Sequence, residues 1–233
     1  MRIAVPIIAQ TIDEARRDMD LAEKQGADII EIRFDYISKP SSKGLQTLIK
    51  HNSTPKIYTN RHKSQSGPDP RAGFRGTEKE RLDLFWAAVD SKAEYIDQEK
   101  DHGLALGITP YFQIFSHHDF EKTPSNKELQ AIYESMAPDF KNYYYPDIIK
   151  IATKANIIDD SLRMINFIRK HTGPKKPGLI GLCMGPEGIP TRVLGSIYGS
   201  YLTFASLERG KASAPGQMTI GDLKKAYELL QIS

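Results

Sequence analysis

Short apolar runs alternate with amphipathic runs along the whole chain, and this alternation predicts strands and helices in turn. The apolar runs are rich in Ile, Tyr, Phe and Val, and several are apolar on both faces. That pattern is typical of parallel strands that are covered on both sides. We predict eight strands, at Ile3–Ala9, Asp28–Phe34, Lys56–Arg61, Tyr95–Glu99, Tyr111–Ser116, Ile148–Thr153, Leu179–Met184 and Tyr201–Ser206.

Helix boundaries are marked between these runs. Capping-box patterns, in which a hydroxyl residue precedes a glutamate by three positions, open helical segments. They occur at Thr11 with Glu14, Thr77 with Glu80 and Ser125 with Glu128. Gly26 and Gly173 stand where helix C-terminal glycines belong. Asn156 is expected to cap a helix to about Lys170, and Thr219 one to about Leu230.

Eight strands alternating with helices predict an α/β fold, a (β/α)8 TIM barrel, as a single domain over residues 1–233. An open doubly wound sheet is the alternative. Only Lys100–Pro110 separates the fourth strand from the fifth, which is short for a parallel crossover, so we expect a shortened fourth helix. Residues 62–76, rich in Ser, Gly and Pro, are expected on the catalytic face and could form a lid.

Composition narrows the function classes. The chain has 233 residues, 39% hydrophobic and 26% charged, which is ordinary for a soluble protein. A net charge of +3 is too small to indicate nucleic acid or a membrane as partner, although it suits a small anionic substrate. One cysteine excludes an intrachain disulfide, and we expect a cytoplasmic location. No stretch has the length of a membrane span, and the N-terminus reads as a strand, not a signal peptide.

Lys150 is the most informative residue, because it stands inside an apolar strand, Asp147–Thr153. Burial disfavours an ammonium, and a lysine that is partly a free amine can attack a ketone. We therefore consider Lys150 a Schiff-base nucleophile, helped by burial and by neighbouring cations. The alternative is a structural lysine whose stem lies along the sheet while its head reaches water.

Further polar side chains follow the predicted strands, where a barrel builds its active site. Glu31 and Arg33, two residues apart, point to one face and offer an acceptor and a forked donor; they could also be a structural ion pair. Arg61 ends the third strand and could equally be a surface residue. Of His117 and His118, only one can easily face the barrel mouth and move protons there. No cluster with metal-ligand spacing accompanies them, so we expect no metal.

The loops after the last two strands offer anion ligands. Met184 is followed by a glycine-containing turn and by Arg192, which could clamp a carboxylate or phosphate. Phe204 lies in the eighth strand, and Ser213 and Gln217 follow it with hydroxyl and amide donors. Taken alone, both loops could be plain turns.

Together these motifs resemble type I 3-dehydroquinate dehydratase, the Schiff-base enzyme of the shikimate pathway, over nearly the whole chain. The similarity rests on the order and spacing of Glu31-Ile-Arg33-Phe-Asp35, Thr59-Asn-Arg61, Ser116-His-His118-Asp-Phe120, Asp147-Ile-Ile-Lys150-Ile-Ala152, Met184-Gly185…Gly188…Arg192, Thr203-Phe204-Ala205-Ser206 and Ser213-Ala-Pro-Gly-Gln217.

The resemblance implies a barrel, usually a homodimer, that acts on 3-dehydroquinate without metal or cofactor. It implies that Lys150 forms the imine and that His118, not His117, is the general acid/base. It also implies carboxylate binding by Arg192 with Gln217, and a closing loop that contains Ser213. The remaining implied substrate contacts are hydroxyl recognition by Glu31, Arg33 and Arg61, and apolar walls from Met184 and Phe204.

One position departs from the family pattern. Gln65 stands where the family commonly has a glutamate that supports the histidine, and a glutamine cannot stabilise imidazolium by charge. Two other functions are compatible with a barrel lysine. One is an aldolase or transaldolase-like lyase that binds a sugar phosphate at Arg192. The other is a non-catalytic metabolite sensor, which only the Gln65 departure favours.

Overall fold

The computed structural model describes residues 1–101, 110–136, 147–174 and 176–231. Within these ranges every strand is parallel to its neighbours. The strands are β1 Ile3–Ile7, β2 Ile29–Arg33, β3 Lys56–Thr59, β4 Tyr95–Glu99, β5 Phe112–Asp119, β6 Ile148–Lys154, β7 Gly178–Met184 and β8 Thr203–Phe204. The helices are α1 Ile12–Lys24, α2 Ser42–Ile49, α3 Glu78–Asp90, α4 Asn126–Met136, α5 Ile158–His171, α6 Ile189–Leu194 and α7 Ile220–Leu229.

The strands follow chain order around a nearly closed barrel. The sheet runs from β7 through β6 down to β1, and β1 also pairs with β8. The seam between β7 and the segment before β8 is joined by the backbone, because the Tyr201 amide donates to the Leu179 carbonyl at 2.7 Å. This architecture confirms the predicted (β/α)8 TIM barrel. The shortened helix expected between β4 and β5 falls on residues 102–109, outside the described residues.

Two packing zones explain why the strands read as apolar on both faces. The barrel interior is filled at its lower end by one isoleucine from each of several strands, among them Ile29, Ile57, Ile114, Ile148 and Ile180. The outward faces pack against helices, as where Ile151 meets Met164 and Ile168 of α5. Towards the carboxyl ends of the strands the interior becomes polar. The apolar layers therefore form a floor under a polar upper layer.

The predicted caps hold with one exception. Thr77 and Glu80 form a reciprocal capping box, and Thr219 accepts from the Asp222 amide. The sequence predicts Asn156 as the cap of α5, and this prediction is wrong, because Ile157 occupies the N-cap position and makes no side-chain cap hydrogen bond. The Asp160 carboxylate accepts from the backbone amides of both Asn156 and Ile157, and so takes the place of a capping side chain.

Candidate active site

One cavity at the carboxyl ends of the strands gathers all ten side chains singled out from the sequence. Gln65 and Ser66 reach the same cavity from the 62–76 loop, so this loop lies on the expected face of the barrel. The ten side chains are Glu31, Arg33, Arg61, His118, Lys150, Met184, Arg192, Phe204, Ser213 and Gln217.

Lys150 lies at the base of this cavity and is only 5% exposed. Its Nζ donates to Asp97 Oδ2 at 3.0 Å and stands 3.7 Å from Glu31 Oε1. The ring of Phe204 covers another side of the ammonium, with its centroid 4.5 Å from Nζ. The groups that touch the nitrogen are thus carboxylates and an aromatic face, and not the neighbouring cations expected from the sequence.

Asp97 was not among the predicted site residues, yet it organises the centre of the site. Its carboxylate binds Arg61 through both oxygens, at 3.0 and 3.2 Å, and accepts from Ser116 Oγ at 2.7 Å. Glu99 accepts from the same guanidinium at 3.2 Å. Asp97 and Glu99 are two residues apart at the end of β4, so both point inward. The same spacing drew attention to Glu31 and Arg33, and it could have identified this pair as well.

Arg33 and Arg61 are both held by carboxylates. Arg33 donates to the two oxygens of Asp35 at 3.0 and 2.9 Å. Burial opposes its charge, but the Asp35 carboxylate outweighs burial and raises the pKa of Arg33 far above its usual range. Asp35 also accepts from the Gly73 amide at 2.9 Å, which connects the 62–76 loop to the segment that directly follows β2. Arg33 and Arg61 therefore reach the cavity with their charges already compensated.

Arg192 differs, because none of the described residues offers it a carboxylate within ion-pair distance. It is 1% exposed, and its Nη1 and Nη2 make long contacts to the Phe204 and Pro215 carbonyls at 3.4 and 3.3 Å. Its Nε has no hydrogen-bond partner among the described residues. Burial lowers the pKa of Arg192 to about 10. A buried cation with unused donors is a site for an anion.

The loop after β8 completes this side of the cavity. The Ser213 amide donates to Gln217 Oε1 at 2.8 Å, and Gln217 Nε2 donates to Ser213 Oγ at 3.1 Å. The Gly185 amide donates to the Pro215 carbonyl at 3.1 Å. Gly216 has φ +77°, and a Cβ there would overlap the Gly185 carbonyl oxygen. This close approach keeps the β8 loop against the β7 loop and against Arg192.

His118 is the histidine that faces the cavity, and its ring stacks on Phe120 at a centroid distance of 5.9 Å. Burial, together with the cations Arg61 and Lys150, lowers the pKa of His118 well below its ordinary value. Its Nδ1 is buried without a hydrogen-bond partner among the described residues, so Gln65 lines the same cavity but does not bind this atom. A neutral imidazole with a free ring nitrogen is equipped to accept a proton.

His117 and Cys183 lie outside this set. His117 alternates to the other face of β5, next to Lys100. Cys183 is buried, with Sγ 3.4 Å from Thr153 Oγ1 and 3.5 Å from Thr123 Oγ1, and burial raises the pKa of its thiol. Among the described residues no group of three or more His, Cys, Asp and Glu side chains is arranged to hold a metal ion. No helix in those same ranges is long and apolar enough to cross a bilayer.

Known proteins of one family are similar to this chain along almost its whole length. The family model of the type I 3-dehydroquinase matches residues 3–233. The 3-dehydroquinate dehydratase of Methanocaldococcus jannaschii is 35% identical over 241 residues, covering 99% of each chain. A bifunctional 3-dehydroquinate dehydratase/shikimate dehydrogenase of Arabidopsis thaliana is 34% identical over 238 residues, and the match covers 99% of this chain and 37% of that protein.

Solved structures show the same fold. The 3-dehydroquinate dehydratase of Aquifex aeolicus matches with TM-score 0.73 and 28% identity, covering 98% of each chain. That of Geobacillus kaustophilus matches with TM-score 0.80 and 23% identity, covering 99% of this chain and 91% of the other. The chain therefore belongs to the type I 3-dehydroquinase (3-dehydroquinate dehydratase) family.

Proposed function

We propose that this protein is a hydro-lyase of the shikimate pathway that dehydrates 3-dehydroquinate to 3-dehydroshikimate through an imine on Lys150. Family membership supports the reaction class, since the full-length relatives carry the name 3-dehydroquinate dehydratase. The observation that carries the mechanism is a buried lysine amine in a cavity that also holds an uncompensated arginine and a neutral histidine. These three groups match a ketone, a carboxylate and an acidic C–H bond in one small molecule.

Arg192 orients the substrate. The carboxylate on C1 takes the unused donors of this guanidinium and exchanges the long carbonyl contacts for charge-assisted hydrogen bonds. Gln217 and Ser213 close over the same end of the substrate. Glu31, Arg33 and Arg61 offer acceptors and donors to the ring hydroxyls, while Met184 and Phe204 form apolar walls. With the carboxylate held at Arg192, the C3 ketone is directed towards Lys150.

Lys150 then supplies covalent catalysis. The Lys150 ammonium passes one proton to His118, and the amine so formed attacks C3 while the carbonyl electrons move to oxygen. That oxygen takes the proton back from His118 and a second proton from the nitrogen and leaves as water, so that a protonated imine remains. The positive nitrogen withdraws electrons from C2 and makes the C2 proton acidic. Among the described charged side chains that line the cavity, Lys150 is the amine, so the covalent step is assigned to it.

His118 moves the protons. The neutral imidazole takes the C2 proton, and the electron pair forms an enamine that runs to the imine nitrogen. The imidazolium so formed gives its proton to the C1 hydroxyl, which leaves as water while the iminium and a C1–C2 double bond form. Hydrolysis of this iminium releases 3-dehydroshikimate and restores Lys150.

Covalent trapping tests this function. The protein is incubated with 3-dehydroquinate, reduced with borohydride and mapped by peptide mass spectrometry, while product is followed in an unreduced sample. We expect an adduct on Lys150 in the parent protein, and neither adduct nor turnover in Lys150→Ala. Lys154→Ala, which changes the exposed lysine at the end of the same strand, is the matched control and should behave like the parent. Undiminished turnover by Lys150→Ala would contradict the proposal.

A further inference from the structure

Asp97 carries a fixed negative charge directly behind the reacting nitrogen. Its side chain is 1% exposed, and its Oδ2 accepts from Lys150 Nζ at 3.0 Å. It does not line the substrate cavity, so it touches Lys150 from below and leaves the upper side of the nitrogen open. Glu31, the other carboxylate near Nζ, is farther away at 3.7 Å, faces the cavity and already accepts from Thr59 Oγ1.

The surroundings of Asp97 keep it ionised. Arg61 donates to both of its oxygens and Ser116 Oγ donates to Oδ1, so three donors besides Lys150 reach it. Burial opposes the charge, but Arg61 and Lys150, together with His118, which also faces this carboxylate, outweigh burial and lower the pKa of Asp97 far below its usual range. Asp97 is therefore held as a carboxylate in the free protein, whereas the imidazole of His118 is held neutral.

We propose that Asp97 is the counterion of the Lys150 nitrogen, and that its catalytic task is to keep the substrate imine protonated. This inference rests on the imine mechanism proposed above. Before reaction Asp97 neutralises the ammonium; after imine formation the same Oδ2 accepts from the iminium N–H. The positive charge on nitrogen disappears when the C2 proton leaves and returns when the C1 hydroxyl leaves. The Asp97 carboxylate therefore stabilises both the iminium of the substrate and the iminium of the product.

The consequence is visible at alkaline pH. Loss of the iminium proton gives a neutral imine that no longer withdraws electrons from C2, and turnover stops. An opposite charge in direct contact moves such an equilibrium by about 1–3 pH units. Without Asp97 the neutral imine forms at lower pH. The fall of kcat on the alkaline side of its pH profile, the alkaline limb, therefore shifts to lower pH by that amount.

The experiment compares Asp97→Asn with Glu99→Gln. Both changes remove a carboxylate that Arg61 binds, but only Asp97 contacts Lys150. For each folded variant, kcat is measured against pH, and the yield of the Lys150 adduct is measured with cyanoborohydride, which reduces protonated imines. We expect both curves of Asp97→Asn to fall about 1–3 pH units earlier than those of the parent, and those of Glu99→Gln to stay within about half a unit of it.

An alkaline limb that stays at the parent's position in Asp97→Asn, or moves equally in Glu99→Gln, overturns the inference. If the parent protein itself forms no adduct with 3-dehydroquinate, the proposed function fails instead, so the two failures are distinguishable. If Asp97→Asn does not fold, the double variant Arg61→Met/Asp97→Asn keeps the buried charges balanced and is compared with Arg61→Met. The inference then requires the alkaline limb of the double variant to lie lower, and coincident limbs overturn it.

Discussion

Arg192 allows a prediction in which function and stability change in opposite directions. We consider Arg192→Met, which keeps an unbranched apolar side chain and removes the guanidinium. Burial lowers the pKa of Arg192 to about 10, which is roughly 2.5 pH units below the pKa of an ordinary arginine. At roughly 1.4 kcal/mol per pH unit, this difference means that the charge costs the folded protein about 3 kcal/mol.

The favourable contacts of Arg192 in the free protein are weak. The hydrogen bonds to the Phe204 and Pro215 carbonyls are long, at 3.4 and 3.3 Å, and contribute about 1 kcal/mol each. The free energy of unfolding of Arg192→Met should therefore lie between unchanged and about 2 kcal/mol higher than that of the parent. Urea unfolding at neutral pH measures it.

Catalysis should suffer strongly from the same change. Removing one partner of a buried, hydrogen-bonded charge pair costs about 2–5 kcal/mol. At 1.4 kcal/mol per tenfold, kcat/KM should fall by about 30- to 4,000-fold. The assay is steady-state turnover of 3-dehydroquinate, followed by the absorbance of the conjugated product.

Arg33→Met is the matched control, because this guanidinium is paired with Asp35 through two hydrogen bonds. Breaking that buried pair should lower the free energy of unfolding by about 3–5 kcal/mol. If Arg192→Met instead lost more than about 2 kcal/mol of stability, or kept kcat/KM within about threefold of the parent, the assignment of Arg192 as a poised anion site would be refuted.

Three further outcomes follow from the site. Because burial and three neighbouring cations lower the pKa of His118, the neutral base persists as pH falls through about 6.5. We therefore expect kcat/KM to stay constant down to that pH, and a fall in kcat/KM centred at or above it would contradict this. His118→Ala should lower kcat by about 10²- to 10⁴-fold while borohydride still traps an adduct on Lys150, and an unchanged rate would exclude the proton-transfer role. Gly216→Ala should raise KM more than Gly210→Ala. Both glycines have positive φ, but of the two only Gly216 is so close to other backbone atoms that a new Cβ would overlap them. Equal KM values would show that the close approach to Gly185 does not affect substrate binding.

The sequence was sufficient for the barrel because each strand carries its own apolar signal. The fourth strand coincides with Tyr95–Glu99, and the ends of the other strands differ from their predicted bounds by at most three residues. The eighth strand is shortened most, since only Thr203–Phe204 of the expected Tyr201–Ser206 pairs regularly with β1. On one side the Tyr201 amide donates to Leu179, and on the other Ser206 forms an isolated bridge with Thr219. Such isolated contacts leave no periodic pattern in the sequence.

The sequence was likewise sufficient for some of the site residues and not for others. Side chains that face the cavity were identifiable from their motifs, and the structure brings them together. Asp97 was not identified, because it lies beneath the cavity on β4 and contacts a lysine on β6. The sequence around Asp97 contains no motif for such a contact apart from the two-residue spacing to Glu99. The homodimer, the cytoplasmic location and the role of the 62–76 loop as a lid stay predictions.

The buried position of Cys183 makes the natural chain a convenient background for site-directed labelling. It is the only cysteine in the sequence, and its thiol is enclosed between two threonine hydroxyls. Maleimide and spin-label reagents should therefore leave the folded protein unmodified. Cysteines introduced at exposed Lys63 and Glu208, on the loops that flank the cavity after β3 and β8, would then carry a spin-label pair without removal of a native thiol. Distance distributions between these labels, with and without product, would report directly on loop closure.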